Sequence, residues 1–108
     1  MKKKTIPDFV EQIVKHVEGK NDKNNILAFT LSTCQWCKKC KRYLDNKEIK
    51  YRYVDVDQIN SENKGQILEF LKENYETRIS YPFIICDDKF IVGFDPKKYD
   101  EMFGAGED

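Results

Sequence analysis

The chain has 108 residues, 40% of them hydrophobic, 13% aromatic and 35% charged, which suits one modest core under a well-solvated surface, and no internal stretch is polar and flexible enough to link two domains. Lys plus Arg equals Asp plus Glu at 19 each, so global charge gives no ground for nucleic acid, an anionic membrane or an acidic substrate. One domain over residues 1–108 is expected, with any electrostatic selectivity local.

The start, Met1-Lys2-Lys3-Lys4, is basic, but a polar amphipathic stretch follows where a secretory signal needs an apolar run, and nothing approaches transmembrane length. A reducing, cytoplasmic location is therefore expected. There the four cysteines, of which Cys34, Cys37 and Cys40 are clustered, point to catalysis or metal binding before structural disulfides.

Residues 6–17 place Ile6, Phe9, Val10, Ile13, Val14 and Val17 on one helical face, with Thr5 as N-cap, Pro7 near the first turn and an end near Gly19. After a polar turn, Ile26-Leu27-Ala28-Phe29-Thr30-Leu31 forms the short apolar run of a strand buried on both faces. A second helix follows from Cys34 to about Asn46, with Cys37, Cys40, Tyr43 and Leu44 at core spacing. Tyr51 to Asp57 alternates as a strand, and Ser61 caps a third helix facing inward through Ile67, Leu68 and Leu71. Tyr81-Pro82 then introduces a hairpin, Phe83-Ile84-Ile85-Cys86 and Lys89-Phe90-Ile91-Val92 around Asp87-Asp88, and Asp95-Pro96 starts a closing helix through Met102 and Phe103. Gly104 to Asp108 is a frayed tail. The expected architecture is a three-layer α/β fold with a mixed, four-stranded sheet flanked by helices, plus an extra N-terminal helix.

The cysteine cluster directly follows the central strand. A cysteine between a buried strand and a helix N-terminus faces unpaired N–H groups and the positive end of the helix dipole, which favour thiolate over thiol. Cys34 is thus the candidate nucleophile toward a disulfide sulfur. Cys37, one turn later on the same side, is the candidate resolving thiol. Gln35 and Trp36 set the turn, and Trp36 offers a flat apolar contact to a docking partner. The same spacing supplies half of many zinc sites, but a second ligand pair would have to come from Cys40, Cys86 and His16, and the redox reading is preferred with no metal assigned. Cys40 and Cys86 fit small buried hydrophobes better than further ligands. If the Tyr81-Pro82 bond is cis, the Tyr81 backbone turns toward the motif and can pair with an extended substrate as an added strand.

Phe29-Thr30, Cys34-Gln35-Trp36-Cys37, Asp55-Val56-Asp57, Ser80-Tyr81-Pro82 and Gly93-Phe94-Asp95 fall in an order and spacing that resembles the glutaredoxins of the thioredoxin superfamily over nearly the whole chain. The resemblance implies a dithiol oxidoreductase that reduces protein disulfides or mixed disulfides. Cys34 and Cys37 would be catalytic, and Gln35, Trp36, Tyr81, Pro82, Gly93, Phe94 and Asp95 would contact substrate. It implies no tightly bound cofactor and glutathione as co-substrate. The expected protein is a monomer with disulfide-containing protein substrates and no nucleic-acid or membrane partner.

The chain departs from the family pattern where Leu31 replaces a lysine and where Val92-Gly93-Phe94-Asp95-Pro96 keeps only part of a carboxylate-binding motif. Gly93-Phe94-Asp95-Pro96 is similar to the redoxins reduced by a thioredoxin-reductase-type flavoprotein. Lys38, Lys39, Lys41 and Arg42 offer a substitute anion site, and the competing function is an iron-sulfur or metal-binding carrier using Cys34 and outside thiols.

Overall fold

A computed structural model describes residues 6–103; Thr5, expected as a cap, and the tail after Phe103 lie outside them. The elements are α1 (Asp8–Ile13), β1 (Lys15–Val17), β2 (Ile26–Thr30), α2 (Gln35–Asn46), β3 (Tyr51–Asp55), α3 (Ser61–Asn74), β4 (Phe83–Cys86), β5 (Lys89–Val92) and α4 (Pro96–Phe103), with a 3-10 turn at Val56–Gln58. The sheet order is β1-β3-β2-β4-β5. Only β2 and β3 run parallel, joined by α2, while β1, β4 and β5 pair antiparallel to their neighbours.

Strand β2 is buried along its whole length, and the alternation of its side chains divides the core. Leu27 and Phe29 join Val10, Ile67, Phe70 and Leu71 on the α1 and α3 side. Ile26 and Ala28 join Cys40, Leu44, Tyr99 and Phe103 on the α2 and α4 side. Here the apolar run does what its composition demands, because a strand covered on both faces has no position for a solvated side chain.

The sheet has five strands, one more than expected from the sequence, and the extra one comes from the first helical stretch. Helix α1 ends at Ile13, Val14 is extended, and Lys15-His16-Val17 lies along Tyr53-Arg52-Tyr51 of β3. The apolar spacing of Val14 and Val17 is common to a helix and a short strand. The open edge of β3 decided between them, since its unpaired N–H and C=O groups gain a ladder from an extended neighbour. His16 consequently sits on an edge strand opposite Arg52 rather than on a helix.

Smaller differences are local. The stretch Tyr51 to Asp57 leaves the sheet after Asp55. Asn60, not Ser61, caps α3, accepting the Asn63 N–H at 2.7 Å. Ile67 and Leu71 face inward as expected, Leu68 is half-buried, and Phe70 takes a core position. The β4–β5 hairpin turns at Asp87, whose φ of 57° is one that Asp tolerates.

Two glycines separate packing from propensity. A Cβ at Gly19 would lie 2.6 Å from the Glu48 carbonyl oxygen and 2.7 Å from Lys50 N, whereas one at Gly65 in α3 meets nothing within 4 Å. Gly19→Ala is therefore expected to lose about 1–3 kcal/mol through backbone displacement. Gly65→Ala should gain up to about 1 kcal/mol from helix propensity. Urea unfolding of the two variants checks the opposite signs.

Candidate functional site

At the carboxyl end of β2 the chain is fixed from both sides. The buried Thr30 hydroxyl shares its one proton between the Val54 carbonyl at 3.2 Å and the Asp55 carboxylate at 2.5 Å. Asp55 also pairs with Lys41 Nζ at 3.1 Å. Two residues on, the Ser32 N–H and hydroxyl donate to Asp57 at 2.9 and 2.6 Å, and these bonds hold the exposed Asp57 carboxyl below its ordinary pKa. The loop Leu31–Thr33 is thereby tied to the end of β3, and Cys34 enters α2 as its N-cap.

Cys34 Sγ accepts the Cys37 N–H at 3.2 Å, so the sulfur itself satisfies one of the free donors at the helix start. Cys34 Sγ thus lies at the N-terminus of a 12-residue helix with a backbone N–H directed at it. Cys37 is fully buried one turn further in, its Sγ accepting the Leu31 N–H at 3.4 Å. Burial, followed by the hydrogen bond that its thiol donates to the Cys34 sulfur, pushes the Cys37 thiol up to about 12, against the lowering effect of the Leu31 N–H. The pair thus has an outer, half-buried sulfur and an inner protonated one, and all four cysteines are unbonded.

Opposite the motif, the Tyr81–Pro82 peptide is cis. The Pro82 carbonyl accepts the Gly93 N–H at 2.7 Å, and the buried Tyr99 hydroxyl donates to the Gly93 carbonyl at 2.6 Å. Gly93, at φ 89°, turns the chain so that Phe94 stacks on Trp36 with ring centroids 6.1 Å apart. Trp36 is the large hydrophobic side chain left exposed among the described residues, at 56%. Trp36, Ser80, Tyr81, Gly93 and Phe94 line a shallow hollow of about 230 Å³ beside the cysteines.

The structure brings together four of the expected contact residues in that hollow, Trp36, Tyr81, Gly93 and Phe94, with Pro82 buried behind them. Gln35 and Asp95 do not line it. Asp95 instead starts α4, accepting the Lys98 N–H at 3.2 Å through its carboxylate and the Tyr99 N–H at 2.9 Å through its carbonyl. Leu31 packs toward the α1 and α3 side of the core. Of the four cations expected to form an anion site, Lys38, Lys39 and Arg42 are exposed, while Lys41 is committed to Asp55 and lies 3.9 Å from the Tyr53 ring centroid. Cys40 and Cys86 are core residues on the α2 and α4 side. Among the described residues no group of three His, Cys, Asp or Glu side chains is placed to hold a metal ion.

Sequence reasoning missed the supports: Thr30 and Lys41 on Asp55, Ser32 on Asp57, and Tyr99 beneath Gly93. Polar residues at the end of β3 were a visible signal for the first two, but their partners are remote in sequence. The hydroxyl of Tyr81 is buried and has no hydrogen-bond partner among the described residues.

A mixed sheet with a Cys-x-x-Cys pair at the start of the helix after its central strand, facing a cis-proline, defines a redox protein of the thioredoxin superfamily. Residues 26–91 match the glutaredoxin family profile, and the chain belongs to that family. It is 34% identical over 70 residues to a glutaredoxin 1 of Rickettsia bellii, an alignment covering 65% of this chain and 69% of the relative. Among solved structures it is similar to the glutaredoxin of Methanosarcina mazei, with TM-score 0.73 and 34% identity over 84% of this chain and 87% of that one. It is also similar to the methanoredoxin of Methanosarcina acetivorans, with TM-score 0.70 and 36% identity over 77% of this chain and 87% of that one. Among the described residues no helix is long and apolar enough to cross a membrane.

The buried thiols set an alkaline limit. Burial, the larger cause in each case, raises Cys40 and Cys86 from 9.0 to about 11. The folded thiols hold protons that unfolded ones release, so their stabilising contribution is complete below roughly pH 8.5 and is lost as pH rises through about 11. Urea midpoints of the reduced protein should fall over that window, and fall less in Cys40→Ala/Cys86→Ala. A midpoint independent of pH there would contradict the assignment.

Proposed function

We propose that this protein is a dithiol thiol-disulfide oxidoreductase acting on protein disulfides or mixed disulfides, with Cys34 as nucleophile and Cys37 as resolving thiol. The observation that carries this reading is the asymmetry of the pair: Cys34 Sγ at the helix start accepts an N–H, and Cys37 Sγ lies buried behind it. Cys34 thiolate attacks one sulfur of a substrate disulfide, the substrate S–S bond breaks, and the departing thiolate takes a proton from water. Cys37 then attacks Cys34 Sγ, and its proton passes to the departing substrate sulfur, directly or through water. The mixed disulfide breaks, the second substrate thiol leaves, and the two electrons delivered leave a Cys34–Cys37 disulfide.

The surroundings of Cys37 support this order. Part of what holds the Cys37 proton is the Cys34 sulfur, through both its hydrogen bond and its charge. When Cys34 is in the mixed disulfide that charge is gone, so Cys37 becomes easier to ionise at the stage that requires it. The hollow beside Tyr81 suits an extended substrate segment pairing with the backbone before Pro82, with Trp36 and Phe94 as its apolar wall.

The oxidised protein is then regenerated by glutathione or by a thioredoxin-reductase-type flavoprotein. Leu31 supplies no charge where glutathione carboxylate would gain a cation, and Asp95 is engaged in starting α4. The flavoprotein is therefore expected to reduce the Cys34–Cys37 disulfide faster than glutathione does. Thiol counts and Trp36 fluorescence report either reaction, and faster reduction by glutathione would reverse the assignment of donor.

Cys34→Ser is expected to abolish disulfide reduction. Cys37→Ser should retain the first attack and accumulate a mixed disulfide, visible by mass spectrometry as protein plus substrate. Undiminished turnover in both variants would defeat the proposed chemistry.

A further inference from the structure

The charge balance of the whole chain conceals an uneven distribution. The first turns of α2 carry Lys38, Lys39 and Arg42, all exposed, beside the nucleophile. Phe94 separates two hollows. On one side is the 230 Å³ hollow with Trp36 and Tyr81, next to the cysteines. On the other is a second one of about 300 Å³, lined by Lys39, Arg42, Tyr43, Asn46 and Phe94. This second hollow has two cationic side chains and no carboxylate in its lining. The Asp100 carboxylate, which approaches Tyr43, is occupied by the Tyr43 hydroxyl. Lys39 Nζ lies 4.8 Å from the Trp36 ring centroid, so the cation and the exposed aromatic form one continuous strip along α2. Lys41, by contrast, is neutralised by Asp55 and contributes little to this strip.

Resting on the oxidoreductase reading, we propose that the Lys39–Arg42 hollow is a second substrate subsite, which takes a Glu or Asp side chain of the polypeptide carrying the disulfide. The segment crosses Phe94, placing its cysteine at Cys34 and its acidic residue between Lys39 and Arg42. Charge complementarity identifies the occupant. A guanidinium and an ammonium facing an otherwise carboxylate-free hollow attract a carboxylate, and Arg presents a planar fork suited to it. The aromatic strip between the hollows adds apolar contact with the intervening residues, so selectivity arises from a spacing of sulfur and carboxylate rather than from overall charge.

Two oxidised peptides test this, identical around one disulfide but flanked by Glu residues in one and by Lys residues in the other. The second-order rate at which each oxidises the reduced protein is followed by Trp36 fluorescence. At low ionic strength the Glu peptide is expected to react roughly tenfold faster, and high salt should close the gap. In Lys39→Glu/Arg42→Glu the order of the two peptides should invert. The ratio within one variant cancels any general loss of activity or folding. Lys64→Glu/Lys72→Glu on α3, an equal charge change at two exposed positions away from the strip, should keep the wild-type order. Equal rates for both peptides with the wild type, or an unchanged ratio in the double variant, would overturn the subsite while leaving the oxidoreductase reading intact. Failure of both peptides to exchange with Cys34 would instead remove that reading and the subsite with it.

Discussion

The junction between β2 and α2 is the constraint on which the site depends. A strand buried on both faces cannot shift its register without exposing apolar side chains, so the position at which it leaves the sheet is set by packing. Thr30 closes the strand against Val54 and Asp55, and Ser32 ties the following loop to Asp57. Hydrogen bonds to charged groups contribute about 1.5–3 kcal/mol each when desolvated, and the buried Thr30–Asp55 contact belongs to that class more than the exposed Ser32–Asp57 one. With the loop held, the sulfur of Cys34 sits where it accepts the Cys37 N–H at the start of α2.

The second half of the site is held from α4, on the same face of the sheet as α2, through two linked hydrogen bonds. Tyr99, packed in the core, holds the Gly93 carbonyl, and the Gly93 N–H holds the Pro82 carbonyl. The cis-proline and the Phe94 wall are therefore tied to α4. The hollow is assembled from α2, the segment before β4 and the turn after β5, none of which forms it alone.

Electrostatics act here over short range. The chain is neutral overall, yet the sulfur pair, the Asp55–Lys41 pair and the exposed cations of α2 lie within a few turns of one another. Lys41 shows why a count of charges on a helix misleads: its side chain turns to a partially buried carboxylate and an aromatic ring, leaving Lys38, Lys39 and Arg42 to face solvent.

Much of this was legible in the amino-acid order. The run Ile26–Leu31 announced a central strand, Cys34 and Cys37 stood at the start of a helix, Asp87-Asp88 marked the hairpin, and Tyr81-Pro82 stood at the entry to β4. Each signal is local, because hydrophobic period, turn chemistry and cap residues act over a few neighbours. The tertiary structure alone decided that Lys15–Val17 becomes a fifth strand, that Asp95, expected both to start α4 and to contact substrate, stays out of the hollow, and that Lys41 turns to Asp55 while Lys38, Lys39 and Arg42 stay exposed. Those outcomes depend on partners remote in sequence: the open edge of β3, the amides of α4, and Asp55. A single residue's spacing carries no record of which distant group will satisfy it.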